Sequence, residues 1–451
     1  LSDKCEDIDD DTNYCSYCPN FKPAGRGYVS NDRGETFKQE DVHYSQNCQP
    51  FNQLSFIEVS NKGGLSLSDV KIQNFRQQFS NLISAEGAIS LVSTDFDNVN
   101  CFSQVIRLDC KDTNGSCSLT YNKGTVKRLN NGYEYASNLA QSGFLYTQKM
   151  TTVSLSSLTF TKNISFRTIA DADSLIYLSA TSNTNILTDL SFDTTMTLAC
   201  LIYISYTDLA YTKVDIDSQG YSTQHTQTHL QISGLTVENC GCSYIVRVVM
   251  SVQSINASIS FAIEKNYILG SALSIVSEEE YLESDYKGGT FTWKDGDMKY
   301  SALTKPYTIS VTGTITKSIA GYGLIYTSQI PILKISDMSL SDVSEEDEFD
   351  INEIIFAYFQ ADSTVYLKKD VALSDLTCGG SILVSDSYSL EVTALTFTDL
   401  FCSTGGSGLM LSKLTGPTSI TNCTFRSISA SGNSKPIIDG ADSLADLTVS
   451  S

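Results

Sequence analysis

A self-similar unit of about two dozen residues recurs along this chain, and a fixed period of that length confines it to repeat architectures. The unit reads apolar, any residue, apolar, two polar or small residues, apolar, Ser or Thr, an aromatic or aliphatic anchor, any residue, then Asn or Asp. The anchors set the expected stacking. Ile72 and Phe96, Phe192 and Ile216, Val237 and Phe261, Leu373 and Phe397, and Phe425 and Val449 lie 24 residues apart; Ile315 and Leu340 lie 25 apart. The longer step from Phe160 to Phe192 reads as one unit plus a loop.

A second pattern sits between the anchors. It is a short, continuously apolar stretch after Ser or Gly, as at Phe144, Leu145 and Tyr146, then Leu175, Ile176 and Tyr177. It returns at Leu201, Ile202 and Tyr203, at Leu324, Ile325 and Tyr326, and around Ile354, Ile382 and Leu409. Each unit therefore holds at least two short strands rich in β-branched and aromatic residues, separated by Ser, Thr, Asn, Asp and Gly. The sequence predicts an all-β fold, a right-handed parallel β-helix in which each circuit stacks on the last at about 4.8 Å. A string of β-sandwiches would show tight hairpin turns and inter-domain linkers, and the chain has few of either. The recurrent Asn74, Asn98, Asn239, Asp342, Asp375 and Asp399 fit bends, because these residue types tolerate left-handed backbone. Stacked bends would align them into a ladder.

Three segments depart from the repeat. Residues 1–50 are polar, acidic near residues 6–11 and cysteine-rich, and read as an N-terminal cap or arm; residues 51–451 form the β-helix. Residues 278–306 read as an inserted hairpin, with Asp295 and Gly296 at its turn. Its Trp293, the one Trp of the chain, with Phe291 and Tyr300, is either a packing anchor on the β-helix or an assembly contact. Residues 342–353 are an acidic loop, read as solvated, with calcium as the alternative ligand. Asp7, Asp9 and Asp11 alternate as in a calcium loop, but Thr12 replaces the turn Gly and Cys18 the final Glu.

Charge and cysteines bound the function class. Lys and Arg number 30 against 51 Asp and Glu, a net charge of −21, which disfavours binding along a nucleic-acid backbone. No apolar run approaches the ~18 residues of a membrane helix. There is no initiator Met or signal-peptide pattern at Leu1, so the chain reads as a processed product. Sequons at Asn114, Asn163, Asn256 and Asn422 are candidate N-glycosylation sites. Cys5, Cys15, Cys18, Cys48, Cys101, Cys110, Cys117, Cys240 and Cys242 are disulfide candidates in an oxidising, extracellular setting. A zinc site at Cys15 and Cys18 needs a second pair, and Cys5 and Cys48 are poorly spaced for it. Thirteen cysteines leave at least one unmatched within the chain.

The repeat, with phrases such as residues 419–425 and 235–240, resembles the right-handed, pectin-lyase-like β-helix superfamily. In look it is similar to the secreted, cysteine-containing β-helix surface proteins of single-celled eukaryotes. That resemblance covers about residues 55–451 and implies a fold shared by polysaccharide lyases, glycoside hydrolases, adhesins and surface-structure proteins. The motifs of the enzyme branches are missing. The polygalacturonase-like Asn-Thr-Asp and Gly-His-Gly do not occur, and Trp293 is followed by Lys294, Asp295 and Gly296 rather than a pectate-lyase Trp-x-Asp-His. His225 and His229 lie in a polar Gln/Thr stretch and read as solvated; Cys378, Cys402 and Cys423 read as core or bridging residues. The reading is non-enzymatic, with no cofactor: a secreted glycoprotein carrying N-linked glycans. Its partner is itself, through assembly into an extracellular filament or coat, and the mid-repeat ending at residues 447–449 reads as either a truncation or an open stacking face. The alternative is a glycan-binding adhesin or polysaccharide-active enzyme. That alternative requires aromatics and paired carboxylates along one sheet, where a flat Ser/Thr stripe would count against it.

Overall fold

A computed structural model places the chain in stacked parallel sheets and describes residues between 55 and 450, apart from the segments 76–80, 111–116, 132–142, 166–172, 207–211, 278–288, 303–307, 344–353, 403–408 and 431–437 and shorter loop pieces. The expected cap at 1–50 and nearly all of the acidic loop lie outside the described residues. So do Cys5, Cys15, Cys18, Cys48 and Asn114.

Every long sheet is parallel. The chain lays one strand in a 13-stranded sheet, the next in a 16-stranded sheet, and in its middle part a two-residue strand in a 6-stranded sheet. It then returns beside the strand of the previous circuit. Thus Leu145–Gln148, Thr152–Thr161 and Ile164–Ser165 make one circuit, and Ile176–Ser179, Thr184–Asp193 and Met196–Thr197 make the next, paired in register. Inward side chains from all circuits form one continuous core running from Leu82 to Ile420.

The repeating unit encodes a corner. In Thr152–Thr161, Val153 and Leu155 are buried, Ser156 and Ser157 both face out, then Leu158 and Phe160 are buried. Strict alternation would turn Leu158 outward. Ser157, at φ 54°, is left-handed and absorbs the extra residue, so both halves of the strand face the core. The same column holds Asp69, Ser93, Lys123, Asp189, Gly234, Asp337 and Ala394, all at positive φ. Gly234 needs no Cβ there, and one would run into the Asp189 side chain of the neighbouring circuit. The second column of bends is the one expected from the sequence. Asn74, Asn98, Asn239, Asp342, Asp375 and Asp399 all have φ between 53° and 56°.

The continuously apolar stretches have a different cause. Leu82 and Ile83 both donate to the Val105 carbonyl, and Phe144 and Leu145 both donate to that of Leu175. Each pair of residues therefore faces inward together, and the following residue, such as Tyr146, turns away from the core. Around Cys200–Tyr206 the opposite face is covered too, by a second cluster of Cys200, Tyr203 and Val249. A strand buried on both faces has no reason to alternate.

The anchor spacing holds in part. Ile72 pairs with Phe96, Phe160 with Phe192, Ile315 with Leu340, and Leu373 with Phe397. Three expected pairs fail. Phe192 stacks on Val237, because Ile216 belongs to an inserted strand, Thr212–Asp217. Val237 pairs with Ile263 and Leu235 with Phe261, since the register shifts between Ile232 and Leu235. Val449 pairs with Ile420 rather than Phe425.

The hairpin expected within 278–306 is present as Gly289–Lys294 against Asp297–Ala302. Its other side pairs with Gly220–Gln224, itself in a hairpin with Thr212–Asp217, giving a 4-stranded antiparallel sheet. Trp293 registers with Tyr221 on one side and Met298 on the other. Two insertions from different circuits thus join, and the first of them went unread because it lacks an Asn-Gly or Asp-Gly turn.

Candidate functional surfaces

Among the described residues, three outer surfaces and a buried polar ladder stand out. The ladder sits just after the second column of bends. Asn163 is wholly buried; its amide donates to the Val126 carbonyl at 3.1 Å and its Oδ1 accepts from the Leu129 N–H at 2.9 Å. Asn266, 4% exposed, donates to the carbonyls of Val237 and Glu264 and accepts from the Cys240 N–H at 2.9 Å. These amides satisfy backbone groups that the corner leaves without strand partners. Asn163, expected as a glycan acceptor, stands in the fold as a structural rung: both its amide atoms are engaged, and Ser165 of the sequon is buried as well.

Of the other sequons, Asn422 is exposed at a left-handed bend, with Thr424 exposed beside it. Asn256 is half-buried and its Oδ1 accepts from the Thr308 N–H at 3.1 Å. A glycan attaches through Nδ2, so that bond survives the modification.

Cysteine chemistry divides. Cys110 and Cys117 form a disulfide that closes the loop carrying Asn114. Cys240 and Cys242, two of the disulfide candidates, are instead free buried thiols, with Cys240 Sγ donating to the Glu238 carbonyl at 3.2 Å. Both point into the core because the short strand Gly241–Cys242 and the corner before it leave those positions inward. Burial pushes the Cys240 thiol up to about 12 and the Cys242 thiol well above its ordinary value. Cys101 is also buried with its thiol raised to about 12 by desolvation, so it too belongs to the core. An unfolded thiol ionises near 9.0, and the folded one holds its proton to a higher pH. These thiols therefore leave stability unchanged below pH 9 and lower it as pH rises from 9 towards about 12, by about 1.4 kcal/mol per pH unit for each. Iodoacetamide at about pH 8 should leave Cys240 and Cys242 unlabelled in the folded chain and label both in denaturant, as read by peptide mass mapping. Labelling of the folded chain would contradict their burial.

The 13-stranded sheet carries an aromatic ladder on the face away from the main core. Tyr146, Tyr177 and Tyr203 stack at 4.8 and 5.0 Å with nearly parallel rings. The Arg107 guanidinium lies over the Tyr146 ring at 4.8 Å, and Arg247, in register beyond Tyr203, lies over Tyr244 at 4.8 Å. Tyr146 is 7% and Tyr203 6% exposed, so the ladder presents edges rather than open ring faces.

The 16-stranded sheet presents the contrary surface. One column runs through Thr125, Thr159, Ser191, Thr236, Ala262 and Thr314 and continues through Ser339, Ala372 and Thr396 to Thr424, all in register. This column is small and flat, while the adjoining outward column brings Tyr366 beside Glu391, with Lys368 bonded to the carboxylate at 2.8 Å. His229 is exposed on this sheet, while His225 and His43 lie outside the described residues. Among the described residues no group of three or more His, Cys, Asp or Glu is arranged to hold a metal ion. Among them, too, no helix is long and apolar enough to cross a membrane.

The third surface is the outer face of the 6-stranded sheet, where Ile164, Met196 and Tyr267 are exposed. Sequence reasoning missed it, since two-residue strands carry no periodicity. Comparison with known proteins adds no identification: no family model matches the chain. No curated protein and no solved structure matches it either.

Proposed function

We propose that the chain is a right-handed parallel β-helix and serves as a non-enzymatic, secreted, N-glycosylated building block of an extracellular filament or coat. The observation that carries this reading is the state of the first described circuit. Ser55–Val59, Leu65–Ser68 and Lys71–Phe75 each pair on one side only among the described residues. Their core-facing Ile57, Val59, Leu65, Leu67, Ile72 and Phe75 are only partly buried, whereas the same positions in later circuits are sealed. Phe56 beside them is 59% exposed. An in-register edge of this kind favours addition of another circuit, from the arm at 1–50 or from a neighbouring molecule.

The flat hydroxyl column and the covered tyrosine ladder favour this reading over sugar binding. Sugars stack on open aromatic faces, and the ring on the 16-stranded sheet that stands beside a carboxylate, Tyr366 next to Glu391, has Lys368 lying over it at 4.6 Å. The Cys110–Cys117 disulfide fits an oxidising compartment.

The test is sedimentation velocity on the unreduced full chain across a range of concentrations. Wild type should form species that grow with concentration. Ile57→Lys with Leu67→Lys, which puts charge on the end circuit, should abolish lengthwise growth. A wild type that stays monomeric at every concentration sinks the proposal. Glycan mapping gives a second check. Asn422 should be occupied and Asn163 unmodified in secreted protein; a glycan on Asn163 would contradict its burial.

A further inference from the structure

We propose that the outer face of the short 6-stranded sheet is a side-by-side contact for a second copy of this chain. The inference shares with the assembly reading only the identity of the partner, and it uses a different surface from the end circuit. Among the described residues five large apolar side chains are exposed, and four of them lie here: Ile164 at 38%, Met196 at 46%, Tyr267 at 39% and Leu269 at 48%. They are not scattered. Ile164 pairs with Met196, Met196 with Gly241, Gly241 with Tyr267 and Tyr267 with Ile319, so five successive circuits build one column. Leu269 stands two residues beyond Tyr267 on the same face. Gly241 leaves a dent at the centre of the column, over which Met196 Cε lies. Contiguous exposed apolar surface of this kind marks an interaction site.

Two features select a second copy as the occupant. The column repeats at the inter-strand spacing of about 4.8 Å. A surface with that period is matched side chain to side chain by another stacked sheet, and the same column on a second molecule is such a surface. The second feature is charge. The chain carries −21, which drives copies apart. The corner bordering this face is balanced, with Lys162, Lys265 and Lys317 against Asp193, Glu238 and Glu264. Lys265 already bridges Glu238 and Glu264 at 3.3 and 3.1 Å. Two copies can therefore approach here without the repulsion their net charge imposes elsewhere.

The experiment compares the unreduced full chain with Met196→Glu/Leu269→Glu, and with Ser154→Glu on the hydroxyl face as a control, by sedimentation and negative-stain electron microscopy. Wild type and the control should show rods associated in pairs along their length; the double variant should show none, with an unchanged melting temperature. Pairs that persist in the double variant overturn the proposal, as does a wild type lacking pairs at every concentration. Flotation of unpaired wild type, but not the double variant, with phosphatidylcholine vesicles would also overturn it and reassign the face to lipid. Fibres one rod wide would overturn this inference and leave lengthwise assembly standing. Discrete pairs without fibres would do the reverse.

Discussion

Asn266→Ala should destabilise the fold by about 4 kcal/mol, far more than any exposed Asn→Ala change in the same bends. The substitution removes the partner of the Cys240 N–H and of the Val237 carbonyl, both inside the corner. Each buried polar group left unsatisfied costs about 1–3 kcal/mol, and two are orphaned at once. Ser318, which accepts from the Asn266 N–H at 3.1 Å, extends the same ladder into the next circuit, so Ser318→Ala should cost about 1 kcal/mol. Asn422→Ala is the control: an exposed left-handed residue, whose replacement costs about 1 kcal/mol in backbone strain. Thermal and urea unfolding of the three variants would measure the order. A loss at Asn266 no greater than at Asn422 would mean that the ladder is decoration.

Phe160→Ala should cost about 3–5 kcal/mol, the usual range for emptying a fully buried aromatic site. Phe160 is wholly buried between Phe192, stacked at 4.7 Å, and Phe144, edge-on at 5.6 Å. The neighbouring circuits are tied by parallel strand pairing above and below, so the backbone has little freedom to close the gap. Phe160→Leu keeps most of the volume and should cost about 1.5 kcal/mol. Phe56→Ala, at a side chain 59% exposed, should change the melting temperature little while weakening association if the end circuit is the lengthwise contact. Unfolding monitored circuit by circuit through hydrogen exchange would place the Phe160 effect in the circuits around residues 118–193.

Much of this architecture was legible in the sequence, for reasons visible at particular residues. The unit with its paired small residues announces stacked strands because the corner needs one left-handed residue between two inward stretches. Ser157, Asp189 and Gly234 supply it. The apolar triplets ending in Tyr announce two adjacent inward residues followed by an outward ring, as at Leu175, Ile176 and Tyr177. What failed was counting. A spacing of 24 residues cannot distinguish the next circuit from a strand inserted between circuits, and Ile216 falls in such a strand. Nor can a sequon reveal burial. Asn163 has the tripeptide of an acceptor and the position of a core rung, and only the stacking of Val126 and Leu129 around it decides between them. The exposed apolar column was hidden because its members come from five circuits, at positions 164, 196, 241, 267 and 319, with no common local motif.

The assembly account turns on one image: electron microscopy of the native, unreduced material. The 13 strands of the long sheet, at about 4.8 Å each, extend roughly 60 Å. The account predicts regular fibres whose axial repeat is that length, extended by whatever the arm at 1–50 contributes at each junction. Isolated rods of that length, at all concentrations and without reduction, would contradict it.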